Sequence, residues 1–389
     1  MSAERAEVKS PWRIPLAAIH MGEEEKAAVL EVLESGWLTL GPRTERFERE
    51  LGAALGTGHV AAVSSGTAAL HLAYLALGLG PGDEVIVPSL TFVATANAAL
   101  ACGASVVLAD VVGPHDLCID PEDIEKKITP RTKAIAVVHY AGFPCDMDRI
   151  AAIASRHGLA VVEDAAHAPL ATWRGQAVGT LGDFGCFSFF SNKNMTTGEG
   201  GAVVTRDADR LANVRLLRSH GVTAQTFQRH QGGALSYDVV LPGYNYRIDE
   251  IRSALGLVQL KRLAERNERR RRLSRRYQRT LEGVVGLPFA GGSAAHRVGV
   301  CHIMPVILPS GTDRDEVRRN LHGRGIQTSV HYPPIHSLSF HRASDRIRTA
   351  GLPKVDDLAA RELTLPLYPE MSEADVDEVC AGLRAALGR

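Results

Sequence analysis

The chain has 389 residues, and 44 Lys and Arg balance 44 Asp and Glu, so the formal net charge is zero. A hydrophobic fraction of 45% and a charged fraction of 23% are ordinary for a folded globular protein and exclude disorder as the dominant state. The charge balance argues against nucleic acid or an anionic membrane as partner, and the length, well beyond the roughly 150 residues of one domain, predicts a large and a small domain.

In chain order, residues 1–19 mix Glu4, Arg5, Glu7 and Pro11 and hold no apolar run of signal-peptide length. No later segment approaches the ~18 apolar residues of a membrane span, so a cytoplasmic protein is expected. The spacing predicts helices over 22–34 and 43–55, joined by the loop 36–42. A short apolar run at 60–63 ends in Ser64-Ser65-Gly66-Thr67, after which 68–77 is helix-forming. Further short runs at 84–87, 105–108, 134–138 and 159–162 alternate with helix-like stretches, and 184–189 and 201–205 read as two more strands. Seven strands alternating with helices predict crossover units and a mainly parallel sheet.

Periodicity weakens beyond Asn213 until Asp249, where a long helix over 249–281 begins. The expected division is a large domain over 1–260 and a small α/β domain over 261–389, joined by that helix. Its run Arg269-Arg270-Arg271-Arg272 with Arg275 and Arg276 is read as a solvated face rather than a polyanion site, because acidic neighbours leave no wider basic surface. The remainder predicts a strand over 301–308 and helices over 314–323 and 373–387. Cys102, Cys118, Cys145, Cys186, Cys301 and Cys380 lie far apart with no CxxC pair, so neither a disulfide framework nor structural zinc is expected.

Three segments carry chemistry. The turn Ser64–Thr67 lies between a strand and a helix, where unpaired N–H groups and the positive end of the helix dipole can hold a phosphate; a plain helix cap is the alternative. The strand 159–162 runs into Glu163-Asp164-Ala165-Ala166-His167, placing acids at the carboxyl end of a buried parallel strand, where such sheets bind ligands. A buried carboxylate needs a partner, and a protonated pyridine nitrogen would serve; a helix-capping Asp would also explain it. Third, Lys193 stands between Phe189-Phe190 and the glycine-rich Gly198-Glu199-Gly200-Gly201. The chain has only 8 lysines against 36 arginines, so a lysine in an unusual setting suggests that an amine is needed. Burial beside aromatic side chains lowers a lysine pKa and makes the amine nucleophilic. An amine, a ring-nitrogen acid and a phosphate turn are together what pyridoxal 5′-phosphate (PLP) requires.

These segments, with Ser89-Leu90-Thr91-Phe92-Val93-Ala94-Thr95, Gly243-Tyr244-Asn245-Tyr246-Arg247 and His331-Tyr332-Pro333-Pro334-Ile335-His336, resemble in order and wording the DegT/DnrJ/StrS sugar aminotransferases. The resemblance runs from about residue 14 to 369. It implies an α/β, aspartate-aminotransferase-like (fold type I) PLP enzyme. It further implies that Lys193 forms the Schiff base and acts as acid/base, and that Asp164 pairs with the pyridinium nitrogen. Gly66, Thr67 and Ser188 would hold the phosphate, Phe92 would stack on the ring, and Asn245 would reach the phosphate of a partner subunit's cofactor in a homodimer. His167 stands where many relatives carry Gln against the ring hydroxyl, and Arg247, Tyr332 and His336 would face substrate. Lys193 argues against the dehydratase branch, which has His there. The implied reaction moves an amino group, from L-glutamate by resemblance, to a keto-sugar nucleotide, and the wording around Phe92 leans toward amination at C4. The alternatives are the same chemistry on a keto-cyclitol, or a catalytically idle PLP-binding sensor.

Overall fold

The computed structural model describes residues 10–224, 236–290 and 296–389, together with 227, 230 and 232. The first nine residues of the N-terminal stretch read for a signal peptide lie outside the described residues. Among those described, no helix is long and apolar enough to cross a membrane.

The main sheet runs in the order Val60–Val63, Gly201–Val204, Phe184–Ser188, Ala160–Asp164, Thr132–Val138, Glu84–Pro88, Ser105–Ala109, Ile347–Arg348. Gly201–Val204 is antiparallel to both neighbours, and all other pairs are parallel. The expected seven strands are all present, and an eighth of two residues joins the edge from the C-terminal part of the chain, too short to show as an apolar run. The inner strands are buried almost throughout, because helices cover both faces of a parallel sheet, and this is why they read as continuous apolar runs.

One consequence of parallel order fixes the site. The carboxyl ends of Val60–Val63, Glu84–Pro88, Thr132–Val138, Ala160–Asp164 and Phe184–Ser188 all meet one edge of the sheet. The loops that leave them, carrying Ser65, Phe92, Tyr140, His167 and Lys193, therefore converge there.

The long helix spans Glu250–Leu281, capped by Asp249, whose side chain accepts the Arg252 N–H. Its first half packs on the helices Glu23–Ser35 and Pro42–Leu55, and it also packs on Glu373–Ala386. The arginine run is the expected solvated face only in part: Arg269, Arg272 and Arg275 are exposed, whereas Arg270 is buried and Arg271 and Arg276 are partly so. Arg270 is buried and donates to the carbonyls of His302 and Leu367, and Arg269 donates to those of Pro369 and Met371. Arg276 pairs with Glu373 and Asp377 on the last helix. These guanidinium groups tie the C-terminal segment to the long helix, a use of charge that depends on carbonyls about a hundred residues away.

The C-terminal part pairs Met304–Ile307 with Glu362–Leu365 in a small antiparallel sheet. The strand expected over 301–308 is thus shorter, since Cys301 takes a left-handed backbone (φ 50°) that cannot continue it. All six cysteines are free, and among the described residues no group of His, Cys, Asp or Glu is placed to hold a metal.

Candidate active site

A cavity of 380 Å³ opens at the carboxyl edge of the sheet, lined by Gly66, Thr67, Phe92, Asp164, His167, Ser188, Lys193 and Tyr332 among others. On its floor, Ser65 caps the helix Gly66–Ala76 by accepting the Ala68 N–H at 3.1 Å. The Gly66 and Thr67 N–H groups then have no partner among the described residues and face the positive end of the dipole. Gly66 is required by space: a Cβ there would lie 2.8 Å from Cβ of Ser188 and 3.2 Å from its Oγ. The missing methyl leaves a cradle between helix end and strand end that suits a phosphate.

Strand alternation separates the two acids. Glu163 turns away from the cavity and is fully buried; it accepts from Nε2 of His139 at 2.9 Å and from the N–H groups of Gly179, Leu181 and Gly182 at 2.6 to 2.7 Å. Asp164 faces the cavity, accepting from Oγ1 of Thr95 at 2.8 Å and the Ala166 N–H at 3.2 Å. Burial raises its pKa, against the opposing pull of Thr95, Ala166 and Lys193. A protonated ring nitrogen would restore what burial costs this carboxylate.

Lys193 sits in the loop between Phe184–Ser188 and Gly201–Val204, its N–H bonded to the Phe190 carbonyl at 2.9 Å. Phe189 is buried against Phe47, with ring centroids 5.5 Å apart, and anchors the loop, while Phe190 is exposed along the cavity. Burial lowers the Lys193 pKa to about 8, with Asp164 the opposing influence. About a tenth of the amine is then neutral at pH 7, on the order of a hundredfold more than for an ordinary lysine, and the neutral amine is the nucleophile.

Three imidazoles crowd the opposite wall. His167 is 4.3 Å ring to ring from His302, its Nε2 lies 3.0 Å from Oη of Tyr332, and its Nδ1 is buried with no partner. Burial and Lys193 lower the pKa of His167, and burial with His167 and Lys193 does the same for His302. His331, bonded through Nδ1 to Oγ1 of Thr364 at 2.9 Å, falls to about 4 through burial and the nearby Lys193. The histidines are therefore uncharged, and Lys193 is the cavity's own titrating cation.

Phe92 is 55% exposed at the mouth, 5.8 Å from the Tyr332 ring. Asn245, Arg247 and His336 do not line the cavity. Asn245 is exposed, on a segment held beside the phosphate turn by the Ser64 N–H, which donates to the Tyr246 carbonyl at 2.8 Å. Arg247 is partly buried, its pKa lowered by burial and by Arg218. His336 has both nitrogens engaged within the chain, Nδ1 with Ser89 at 2.7 Å and Nε2 with Asp356 at 2.8 Å, which anchors the C-terminal segment to the sheet edge. Sequence reasoning passed over Thr95, His302 and His331. Thr95 and His331 stood inside quoted motifs without a role, and His302 looked like part of a core strand.

The fold is that of the fold type I enzymes that use PLP, and the residues present fit that group: the cradle at Gly66 would suit its phosphate, the cavity-facing Asp164 its ring nitrogen, the orphaned Nδ1 of His167 its ring oxygen and the depressed amine of Lys193 its aldehyde. Residues 20–384 match the DegT/DnrJ/EryC1/StrS aminotransferase family, and the chain belongs to it. It is 41% identical over 378 residues to the spore coat polysaccharide biosynthesis protein SpsC of Bacillus subtilis, covering 96% of each chain. Among solved structures it is similar to the aminotransferase TlmJ of Streptoalloteichus hindustanus (TM-score 0.88, 36% identity, 96% and 99% of the two chains). It is likewise similar to the putative sugar aminotransferase Spr1654 of Streptococcus pneumoniae in its PLP form (TM-score 0.87, 30% identity, 96% and 98%). The protein is a PLP-dependent aminotransferase, which sets aside the reading as an idle sensor.

Proposed function

We propose that the enzyme aminates a keto-sugar carried on a nucleotide, with the 4-keto-6-deoxy type favoured and L-glutamate as donor, in the making of an amino-deoxysugar for a surface polysaccharide or natural product. The observation that carries this reading is the 41% identity, over 96% of both chains, to a protein named for spore coat polysaccharide biosynthesis. The cavity's exposed rim agrees with it, because Phe190 offers an aromatic face on which a sugar ring or a base can pack.

When bound, PLP supplies an aldehyde to take up the amino group and a ring that accepts carbanion charge. In this reading the Gly66 and Thr67 N–H groups and Ser188 hold its phosphate, Phe92 covers one face, and Asp164 keeps a hydrogen on the ring nitrogen. Lys193 Nζ, once displaced by the donor's amine, takes the proton from the donor's Cα. In the second half it delivers a proton to the carbon that was the sugar's carbonyl. The uncharged His167, His302 and His331 add no competing cation from their side of the cavity.

The active unit in this reading is a homodimer in which Asn245 reaches the cofactor phosphate of the partner subunit. The segment carrying it leaves Tyr237, Val239, Val240 and Tyr244 exposed, a run of apolar surface that a second copy would cover.

The test is a substrate screen of the purified enzyme with L-glutamate. Release of 2-oxoglutarate with nucleotide-linked 4-keto-6-deoxysugars and not with free keto-cyclitols supports the reading; turnover of cyclitols alone replaces it with the cyclitol alternative.

A further inference from the structure

His167 has one nitrogen engaged and one waiting. Nε2 is 3.0 Å from Oη of Tyr332, and Nδ1 is buried, without a partner, in a ring that lines the cavity. Which nitrogen carries the hydrogen decides whether the waiting one donates or accepts.

The imidazole cannot satisfy both by protonation, because burial, Lys193 and His331 all push its pKa down. Its other ring neighbours, Tyr140 and His302, bring no negative charge: burial raises the Tyr140 pKa, so that phenol keeps its hydrogen. Asn194 donates its amide hydrogens to Oδ1 of Asn267 and the Val300 carbonyl, so its Oδ1 accepts from Nδ1 of His302, a neutral imidazole. His167 therefore holds one hydrogen. Burial raises the Tyr332 pKa, so its phenol keeps its own hydrogen. Among the described residues, Nε2 of His167 is the acceptor within bonding distance of that hydroxyl. If the phenol donates to Nε2, the hydrogen of His167 must stand on Nδ1. The reverse arrangement leaves the phenolic hydrogen without a protein acceptor and a bare lone pair buried at Nδ1, which costs more.

We infer that Tyr332 is a positioning residue: its hydroxyl, by donating to Nε2 of His167, fixes the imidazole hydrogen on Nδ1 and makes His167 a hydrogen-bond donor toward the cofactor's ring oxygen. The inference rests on the proposed position of that oxygen against His167. It gives Tyr332 a task distinct from contacting substrate, and it explains how His can stand where a Gln amide, which always presents an N–H, would need no such help.

A donor stabilises negative charge on the ring oxygen. That charge is offset by the hydrogen on the nitrogen joining Lys193 to the cofactor and is left uncompensated when that hydrogen leaves, so the donor would lower the pH at which the coloured band titrates. The test is a spectrophotometric titration of four purified holoenzymes: wild type, Tyr332→Phe, His167→Gln and the double variant, each with cofactor content measured after denaturation. Tyr332→Phe in the wild-type background is expected to raise the midpoint by about one pH unit, the worth of one hydrogen bond to a charged group. In the His167→Gln background the same substitution should move it by less than about a third of a unit, because the two effects are then uncoupled. An equal shift in both backgrounds, or none in the first, overturns the inference. A fifth titration, of His167→Ala, tests the underlying placement: an unchanged midpoint removes the ring oxygen from His167, and the inference falls with it.

Discussion

Replacing Lys193 by Met keeps the length of the side chain and removes the charge. Burial takes the Lys193 amine from 10.5 to about 8, so the folded protein carries the ammonium at a cost. At about 1.36 kcal/mol per pH unit, the difference corresponds to about 3 kcal/mol, and because the side chain is only partly buried, solvent screening leaves about 2 kcal/mol. The sign follows from proton binding. Below pH 8 both folded and unfolded chains hold the proton, and the folded state pays the whole penalty. Between pH 8 and 10.5 the unfolded chain binds more protons, so this group makes stability rise with pH. Lys193→Met should therefore make the cofactor-free protein about 2 kcal/mol more stable than wild type at pH 7, with the difference vanishing by pH 10.5. Urea unfolding at one protein concentration, repeated from pH 7 to 10.5, gives the difference, since titrations remote from Lys193 are common to both proteins and cancel. A difference independent of pH, or a Met variant less stable at pH 7, would refute the claim of a desolvated amine.

The remaining expectations concern the rest of the site. Gly66→Ala puts a methyl 2.8 Å from Cβ of Ser188, well inside the ~3.5 Å of a carbon contact; it should cost about 1–3 kcal/mol and weaken PLP binding about tenfold, as read by equilibrium dialysis. Asp164→Asn should keep the cofactor and lose transamination by about 10²-fold or more, measured by half-reaction with glutamate, because a neutral amide cannot hold a protonated ring nitrogen. Glu163→Ala orphans four donors, two of them buried and two part-buried, and should destabilise by about 3 kcal/mol in urea unfolding, yet leave turnover per folded enzyme near wild type, because Glu163 points away from the cavity. Mixing Lys193→Ala subunits with a variant disabled at Asn245 and Arg247 should restore activity, since one site of each heterodimer has neither lesion. With subunit exchange verified, silence would assign Asn245 to its own subunit.

The sequence alone determined the elements and their class. Strands buried on both faces are written as short apolar runs, and helices with a covered stripe carry their own period, so seven strands and the Glu250–Leu281 helix could be read locally. Lys193, Asp164 and the turn at Gly66 were legible for a related reason: each is a residue type out of place, an amine between aromatics, an acid ending an apolar strand, a small polar turn before a helix. Only the tertiary structure decided which of two adjacent acids faces the cavity, because strand alternation sends Glu163 and Asp164 to opposite sides and the register is set by Thr132–Val138 and Phe184–Ser188. It also decided that the arginine run ties the C-terminal segment to the long helix, and that His336 is spent on Ser89 and Asp356. The gathering of His167, His302 and His331 around one cavity has the same origin. They come from three segments of chain, and no local pattern marks an imidazole whose role is set by the hydrogen bond on its far nitrogen.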